Sequence, residues 1–210
     1  MKSSFRLLSV FMLIGLVSCG TINRPIHIAD GSQVSRTLSS INGSISIGKS
    51  CEIEGSCQTI NGSITIDDKT QIDGKVATIN GSIRIGREVR IDGPVKAVNG
   101  SVSSDSGTTI DGTVATVNGC INLVASRIER DLVTYNGKIT LKKGSEVMGD
   151  IVIKESEGTF RRTPLRITIG GMSTVHGSII NENPKLMVTV EIVEGSSVKG
   201  EIEQCEVDRP

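Results

Sequence analysis

Short runs in which aliphatic side chains alternate with small or polar ones recur along most of the chain. Alternation with a period of two residues is typical of a β-strand with one buried side, and these runs are rich in Val, Ile and Thr, which strands favour. No segment after residue 19 has the apolar stripe of an amphipathic helix. We therefore predict an all-β protein.

The runs belong to an internal repeat of 19 residues. A motif of the form aliphatic-Asn-Gly-Ser-aliphatic appears four times, and two looser copies follow it. The Asn-Gly pairs are Asn42-Gly43, Asn61-Gly62, Asn80-Gly81, Asn99-Gly100, Asn118-Gly119 and Asn136-Gly137. A second motif, aliphatic-acidic-Gly, has the same period and includes Glu54-Gly55, Asp73-Gly74, Asp92-Gly93 and Asp111-Gly112. A repeat of this length indicates a solenoid or an array.

Two β architectures could use this unit. Asn-Gly is the usual signal for a two-residue hairpin turn, which would build an antiparallel meander. A meander has no reason to keep a strict spacing, whereas a coil that advances ~4.8 Å per turn stacks equivalent residues. We therefore predict a single parallel β-solenoid, or β-helix, of about nine coils, in which the Asn-Gly and Asp-Gly glycines supply the backbone freedom of the corners.

The alternation also predicts which side chains fill the core. In the third unit these are Ile79, Ile83, Ile85, Val89, Ile91 and Val95, whereas Arg84, Arg87, Glu88, Arg90 and Lys96 are expected to face water. The later copies of the repeat are spaced 28 and then 23 residues apart. The polar segment 154–166 accounts for the spacing of 28 residues. We expect that segment to form a loop that protrudes from the rod.

The N-terminus has the pattern of a secretion signal. Lys2 and Arg6 precede an apolar run that is too short to span a bilayer as a mature helix. The run ends in Leu16-Val17-Ser18-Cys19, which resembles the lipobox of bacterial lipoproteins. The resemblance implies cleavage after residue 18, attachment of lipid, including palmitate, to Cys19, and anchoring in a membrane. Gly20 then indicates the outer membrane, with the protein facing the periplasm.

Four segments follow from these patterns. Residues 1–18 are the predicted signal peptide, 19–37 the lipidated N-terminus and tether, 38–203 the solenoid and 204–210 a C-terminal tail. The tail is rich in acidic residues, which would discourage strand pairing at that end.

Composition excludes several function classes. The 23 basic and 23 acidic side chains balance, and only 2% of residues are aromatic, so a nucleic-acid interface is not expected. The two histidines, His27 and His176, are too far apart in sequence to favour a histidine-based triad or a multi-histidine metal site. No nucleophile with a base, and no phosphate-binding loop, is evident. We therefore predict a protein that is not an enzyme, with no catalytic residues, cofactor or metal.

The unit seen in Ile83-Arg84-Ile85-Gly86 followed by Ile91-Asp92-Gly93-Pro94-Val95 resembles the bactofilin family. Bactofilins are polymer-forming β-helical proteins of the bacterial cytoskeleton. The resemblance covers roughly residues 38–203 and implies a right-handed helix and end-to-end assembly without nucleotide. It supplies no catalytic residue. Bactofilins are chiefly cytoplasmic, whereas the lipobox directs this chain outward.

Two motifs have a structural and a ligand-based interpretation. The Asn-Gly-Ser triplets match the N-glycosylation pattern, but they fall where the repeat needs a corner, and we favour the structural interpretation. The column formed by Glu54, Asp73, Asp92 and Asp111 suggests a calcium ladder, but the calcium-binding nonapeptide is missing. Short carboxylates commonly accept hydrogen bonds from turn amides, and we favour that role.

Four cysteines follow Cys19, in a compartment that permits disulfides. Cys57 falls in the column of Val76, Val95, Val114 and Val133, which favours a small core residue. A disulfide between Cys51 and Cys57 is the open alternative. Cys120 replaces the Ser of the motif and Cys205 follows the last turn, and neither has the neighbours of a zinc site.

The leading hypothesis is a lipid-anchored structural or scaffold protein of the bacterial cell envelope. Its partners would be the membrane, through the lipid, and other copies of itself, through the coil ends. The alternative is a β-solenoid adhesin or binding module for an envelope polysaccharide or protein.

Overall fold

The computed structural model describes residues 22–155, 164–193 and 195–210. All described regular structure is β, and the strands form three parallel sheets in which each strand pairs with the equivalent strand one coil away. The predicted parallel β-solenoid of about nine coils is confirmed. Coil 1 begins with the first strand, each of the nine coils contributes one strand to each sheet, and the last strand of the chain adds a tenth to one sheet.

We call the three sheets face 1, face 2 and face 3, in the order in which a coil visits them. Face 1 contains β1 (Ile26–Ile28), β4 (Ile45–Ile47), β7 (Ile64–Ile66), β10 (Ile83–Ile85), β13 (Val102–Ser104), β16 (Ile121–Val124), β19 (Ile139–Lys142), β22 (Leu165–Ile169), β25 (Val188–Ile192) and β28 (Glu206–Asp208). Face 2 contains β2 (Gln33–Val34), β5 (Glu52–Ile53), β8 (Gln71–Ile72), β11 (Arg90–Ile91), β14 (Thr109–Ile110), β17 (Arg127–Ile128), β20 (Glu146–Val147), β23 (Thr174–Val175) and β26 (Ser197–Val198). Face 3 contains β3 (Leu38–Ser40), β6 (Cys57–Thr59), β9 (Val76–Thr78), β12 (Val95–Ala97), β15 (Val114–Thr116), β18 (Leu132–Thr134), β21 (Ile151–Ile153), β24 (Ile179–Asn181) and β27 (Ile202–Glu203).

The core is a set of aliphatic columns that run the length of the rod. On face 1, Ile64 lies between Ile45 and Ile83 in register, and all three are fully buried. The alternation of each strand turns the intervening side chain outward, as with exposed Arg84 between Ile83 and Ile85. Parallel stacking therefore places like residues on like, and aliphatic columns bury the apolar area that stabilises the fold.

Each coil has three corners of different chemistry. The Asn-Gly corner joins face 3 to face 1, and the Asp-Gly corner joins face 2 to face 3. The corner between faces 1 and 2 has left-handed backbone in each of coils 1 to 9, for instance at Lys69 (φ 60°) and Gly107 (φ 77°), and elsewhere positive φ occurs at Asn23 and Gln204, next to the first and last strands of face 1. We call the corner between faces 1 and 2 the left-handed corner.

The predicted role of the motif glycines is wrong. No Asn-Gly or Asp-Gly glycine has a positive φ. These glycines are needed for close approach: a Cβ on Gly81 would lie closer than 3.0 Å to the carbonyl oxygen of Gly62 in the coil below. Backbone crowding between stacked coils, and not conformational freedom, therefore selects glycine at these corners.

Two predicted boundaries of the solenoid are also wrong. Residues 26–28 and 33–34, assigned to the tether, form β1 and β2 and pair in register with coil 2. Residues 206–208, assigned to the tail, form β28 and pair with β25. Both ends lack the Asn-Gly-Ser motif, so the repeat pattern does not reveal them, although Ile26-His27-Ile28 does alternate.

Two side chains predicted to fill the core face outward. Ile79 is half-buried on the outer side, because the inward position of that strand belongs to buried Thr78. Val133 is half-buried, and its neighbour Leu132 pairs with Val114 in the inward column. The left-handed corner of coil 6, around Ala125, is one residue shorter than its neighbours, and this shifts the later alignment by one position.

The long excursions lie at a single corner. The chain leaves face 3 after Ile153 and rejoins face 1 at Leu165, and residues 156–163 of the predicted loop lie outside the described residues. The loop ends earlier than predicted, because Leu165 and Arg166 belong to β22. A second excursion, 182–187, occupies the same corner one coil later. Insertions there leave the inward columns of the three faces continuous.

Candidate functional site

The predicted lipidation site lies outside the described residues. This applies to Cys19, to the predicted signal peptide 1–18, and to Phe160, Arg161 and Arg162 of the predicted loop. Within the part of the chain that the structure describes, no helix has the length and hydropathy of a membrane span.

The Asn-Gly corner carries an asparagine ladder. The side-chain amide Nδ2 of each asparagine donates to Oδ1 of the asparagine one coil below, as in Asn61 to Asn42 at 2.7 Å and Asn80 to Asn61 at 2.8 Å. The ladder's seven members are Asn23, Asn42, Asn61, Asn80, Asn99, Asn118 and Asn136. Sequence reasoning missed Asn23, because it is followed by Arg24 and not by Gly.

The ladder gives the repeated asparagine a structural role. Its carboxamides lie on the outside of the rod, where each member between the two ends both donates and accepts one ladder hydrogen bond. The amide nitrogen that glycosylation would modify is engaged in this ladder. The Asn-Gly-Ser triplets thus have the structural role that we favoured. Their side-chain amides form a stack that fixes the register of successive coils.

The predicted acidic column is real, and two of its carboxylates, Asp92 and Asp111, are paired with an arginine. Arg90 projects from β11 between coils, where Nε contacts Asp92 at 2.9 Å and the guanidinium also pairs with Asp111. Asp73 accepts a hydrogen bond from Gln71 at 3.3 Å. In residues 22–155, 164–193 and 195–210, no group of three or more His, Cys, Asp or Glu side chains could hold a metal ion.

Further ion pairs link neighbouring coils on the surface. Asp68 accepts from the backbone amide and the guanidinium of Arg87, both at 2.8 Å. The hydrogen bond from the Arg87 side chain is the main cause that lowers the pKa of Asp68. Arg127 pairs with Glu129 in its own coil and with Glu146 in the next coil. The hydrogen bond to Glu129 is the main cause that raises the pKa of Arg127. These exposed pairs fasten adjacent coils and assemble no reactive centre.

The structure shows all four described cysteines as free thiols. Cys57 is fully buried between Leu38 and Val76 on face 3, and burial raises the pKa of its thiol to about 12. Cys51 is buried at the left-handed corner, where its Sγ donates to the carbonyl oxygen of Ala29 at 3.1 Å. Cys120 and Cys205 are half-buried. Burial makes Cys57 an inert core residue, since thiolates and not thiols react.

The two histidines are far apart in space as well as in sequence. His27 is exposed on face 1 of coil 1, and exposed His176 lies at the Asp-Gly corner of coil 8. The structure therefore does not bring them into one site.

A groove interrupts the outer surface of the described rod. It has a volume of about 610 Å³ and lies along face 3 and the Asp-Gly corner, in coils 4 to 7. Its floor is apolar, with Ala115, Val133 and Tyr135, and its rim carries Lys96 and Arg130. The acidic residues that border it, Asp92 and Asp111, are paired with Arg90. The groove thus offers an apolar floor with a cationic rim.

Among the strands that the structure describes, unpaired edges lie at the two coil ends. At the N-terminal end these belong to β1, β2 and β3, and at the C-terminal end to β28, β26 and β27. The described strands between the ends are paired on both sides. The sequence predicted that unpaired edges would lie at the coil ends, but it did not identify the strands that form them.

Comparison of the chain with protein-family models, with curated proteins and with solved structures gives no match. The resemblance to bactofilins therefore stands on the sequence motif and on the general β-solenoid architecture.

Proposed function

We propose that the protein is a non-enzymatic, lipid-anchored scaffold of the bacterial cell envelope that assembles through its coil ends in the manner of bactofilins. The observation that carries this proposal is the restriction of unpaired strand edges to the two ends of the rod. A free edge is a template for pairing with another chain. A rod with such edges only at its ends is suited to extend itself lengthwise.

Charge supports association between unlike ends. The last described segment, 195–210, has four carboxylate side chains, Glu201, Glu203, Glu206 and Asp208, against Lys199 and Arg209. The first coil, 22–40, has two arginines and one aspartate. The acidic end of one rod is therefore attracted to the basic end of the next, and this attraction weakens with salt.

The lipid anchor is tested by substitution of the predicted lipidation site. Cys19→Ala in the full chain should abolish labelling with palmitate and leave the protein in a signal-bearing or soluble form. Cys120→Ser is the matched control, because Ser is the residue that the repeat itself has at that position. Labelling that persists in Cys19→Ala would refute the anchor.

Assembly is tested by electron microscopy of the full chain and by deletion of residues 204–210. The deletion removes β28 and exposes the edge of β25, a five-residue strand. Glu201 and Glu203 keep that end acidic after the deletion, and the edge of β25 is longer than that of β28, so light scattering should show larger assemblies than for the intact chain. A truncated protein that stays folded and monomeric would count against both the capping role of β28 and end-to-end assembly.

The groove on face 3 favours one alternative, a binding module. Its cationic rim and apolar floor suit an anionic envelope polymer that also has apolar groups. Retention of a monomeric protein on an acidic glycan resin, lost in Lys96→Glu and kept in Arg84→Glu on face 1, would support the binding module over the scaffold.

A further inference from the structure

The three faces differ sharply in the chemistry of their outward side chains. On face 1 the outward column at the strand centres holds no aliphatic residue: it comprises His27, Ser46, Thr65, Arg84, Ser103, Asn122, Thr140, Thr168, Glu191 and Asp208. The corresponding column of face 2 comprises Gln33, Glu52, Gln71, Arg90, Thr109, Arg127, Glu146, Thr174 and Ser197. Both faces are suited to water.

Face 3 has a largely apolar outer surface. Its central outward column comprises Ser39, Gln58, Ala77, Lys96, Ala115, Val133, Val152, Ile180 and Glu203. Beside it, just before the asparagine ladder, runs a second half-buried column of Ile41, Ile60, Ile79, Val98, Val117 and Tyr135. Together the two columns hold eleven apolar side chains over coils 1 to 8, interrupted by Ser39, Gln58 and Lys96, and an apolar patch of this kind marks an interaction site.

We infer that face 3 packs against face 3 of a second copy of this chain, with the two rods antiparallel. Nine strands of about 4.8 Å spacing and a width of about five residues give roughly 600 Å² per copy, near the lower end of the range for a stable interface. A flat sheet pairs naturally with another flat sheet at a separation of about 10 Å.

Charge selects a second copy over other occupants. Face 3 has a third outward column, formed by the residue before each strand, which includes Lys75, Asp131, Asp150 and Glu201. In the three outward columns, coils 1 to 4 carry Lys75 and Lys96 and no acidic side chain. The C-terminal half carries Asp131, Asp150, Glu182, Glu201 and Glu203 against Lys154. The surface is thus basic at one end and acidic at the other, so it complements a reversed copy of itself. An anionic membrane would be repelled by the acidic half.

Charge also selects the orientation. In a parallel two-fold pair, each coil faces its own equivalent, and Lys96 would lie beside the partner's Lys96 within an apolar surface. In the antiparallel pair, coil 4 faces coil 6, which brings Lys96 over Val133 and next to Asp131. Burial of two like charges costs much more than burial of a complementary pair. Ala115, in the fifth of nine strands, then lies at the centre of the interface.

Cysteine cross-linking of the full chain in cells tests the pairing. The background carries Cys120→Ser and Cys205→Ser, which remove the half-buried thiols, and the buried Cys51 and Cys57 stay unreactive. Ala115→Cys should give a dimer-sized product with a short bismaleimide. Ser103→Cys, in the same coil on face 1, should give none. Equal products from both variants, or products of Ala115→Cys only with other proteins, would overturn the proposal.

A mixed experiment tests the orientation. Ala77→Cys lies in coil 3 and Val152→Cys in coil 7, which face each other in the antiparallel pair. Two differently tagged chains, one with each substitution, should cross-link when expressed together, and Ala77→Cys alone should not. A product from Ala77→Cys alone would show a parallel pair instead. Because deletion of 204–210 changes only the coil end, cross-linking through face 3 should persist in that variant, which separates this interface from end-to-end assembly.

Discussion

The first six coils and the later coils solve the same packing problem with different corners. From Ile26 to Ile121, equivalent residues on face 1 are separated by a constant 19 positions, and the asparagine ladder runs without a break. After Asn136 the ladder ends, and the Asn-Gly corner is replaced by the excursions after Ile153 and Asn181. The inward column nevertheless continues through Ile139, Ile167 and Val190, all fully buried.

The comparison of the two regions shows that the feature that builds a coil is distinct from the feature that sets the coil's length. Aliphatic columns are present in both regions, so their burial is the common requirement of the fold. The asparagine ladder and the glycines of the Asn-Gly corner are confined to the regular coils, so they fix register and coil length where the chain makes a tight turn. A longer loop can replace a tight corner because lengthening a loop costs little free energy.

The largest expected effect is a test of the common requirement. Ile83→Asp and Ile167→Asp each bury a carboxylate in an aliphatic column, with a penalty of several kcal/mol, comparable to the total stability of a domain. Both variants should lose β-sheet circular dichroism at room temperature. Arg84→Asp, which is exposed beside Ile83, should cost under about 1 kcal/mol. Tolerance of Ile167→Asp alone would show that the later coils are not held by the same column.

A pair of glycine substitutions should separate the crowded Asn-Gly corner from the left-handed corner, where Gly170 lies. Gly81→Ala places a methyl group against the backbone of Gly62, and we expect a loss of about 3 kcal/mol. Gly170→Ala is the matched control in the later coils, because its new Cβ would lie 3.6 Å from the nearest atom, Cγ2 of Val193, in ordinary contact. Its cost should stay within about 1 kcal/mol in urea unfolding. Equal costs would contradict the close-approach explanation.

Removal of one ladder amide should have a moderate effect. Asn80→Ala deletes the hydrogen bonds to Asn61 and from Asn99, at 2.8 and 2.9 Å. Because the ladder is exposed, we expect a loss of about 1 kcal/mol, measured by chemical denaturation. Asn122→Ala, exposed on face 1 away from the ladder, is the control. Equal denaturation midpoints for the two variants would show that the ladder does not contribute to stability.

The smallest effect is expected at the left-handed corner, which both regions keep. Met172 has a φ of 63° and an exposed side chain, so Met172→Gly relieves the left-handed strain but increases the entropy of the unfolded chain. We expect a net gain of about 0.5 kcal/mol in the free energy of unfolding. Ser103→Gly, in a strand of face 1, should instead be destabilising. A loss for Met172→Gly would show that the side chain contributes more than the strain costs.

Most of the fold could be predicted because a solenoid is a one-dimensional repeat. Each coil contacts its neighbours only, so the 19-residue period and the two-residue alternation together define the coil, the direction of the strands and the inward columns. For the same reason the sequence by itself determined that Ile83, Ile85, Ile91 and Val95 are buried and that Arg84 is exposed. It also determined where the repeat is interrupted, near residue 154.

Only the tertiary structure decided what depends on the neighbouring coil. The ends at Ile26 and Asp208 lack the motif and are recognisable only from their pairing. At the end of the strand, either Ile79 or the residue before it could point into the core. The structure shows that the preceding residue points inward and Ile79 outward. The glycines required by close approach, the arginine between two aspartates and the apolar outer surface of face 3 all arise from stacking, which brings residues about 19 positions apart to within one strand spacing. A single repeat unit does not contain the neighbouring coil. Its sequence alone therefore does not define the contacts between stacked coils.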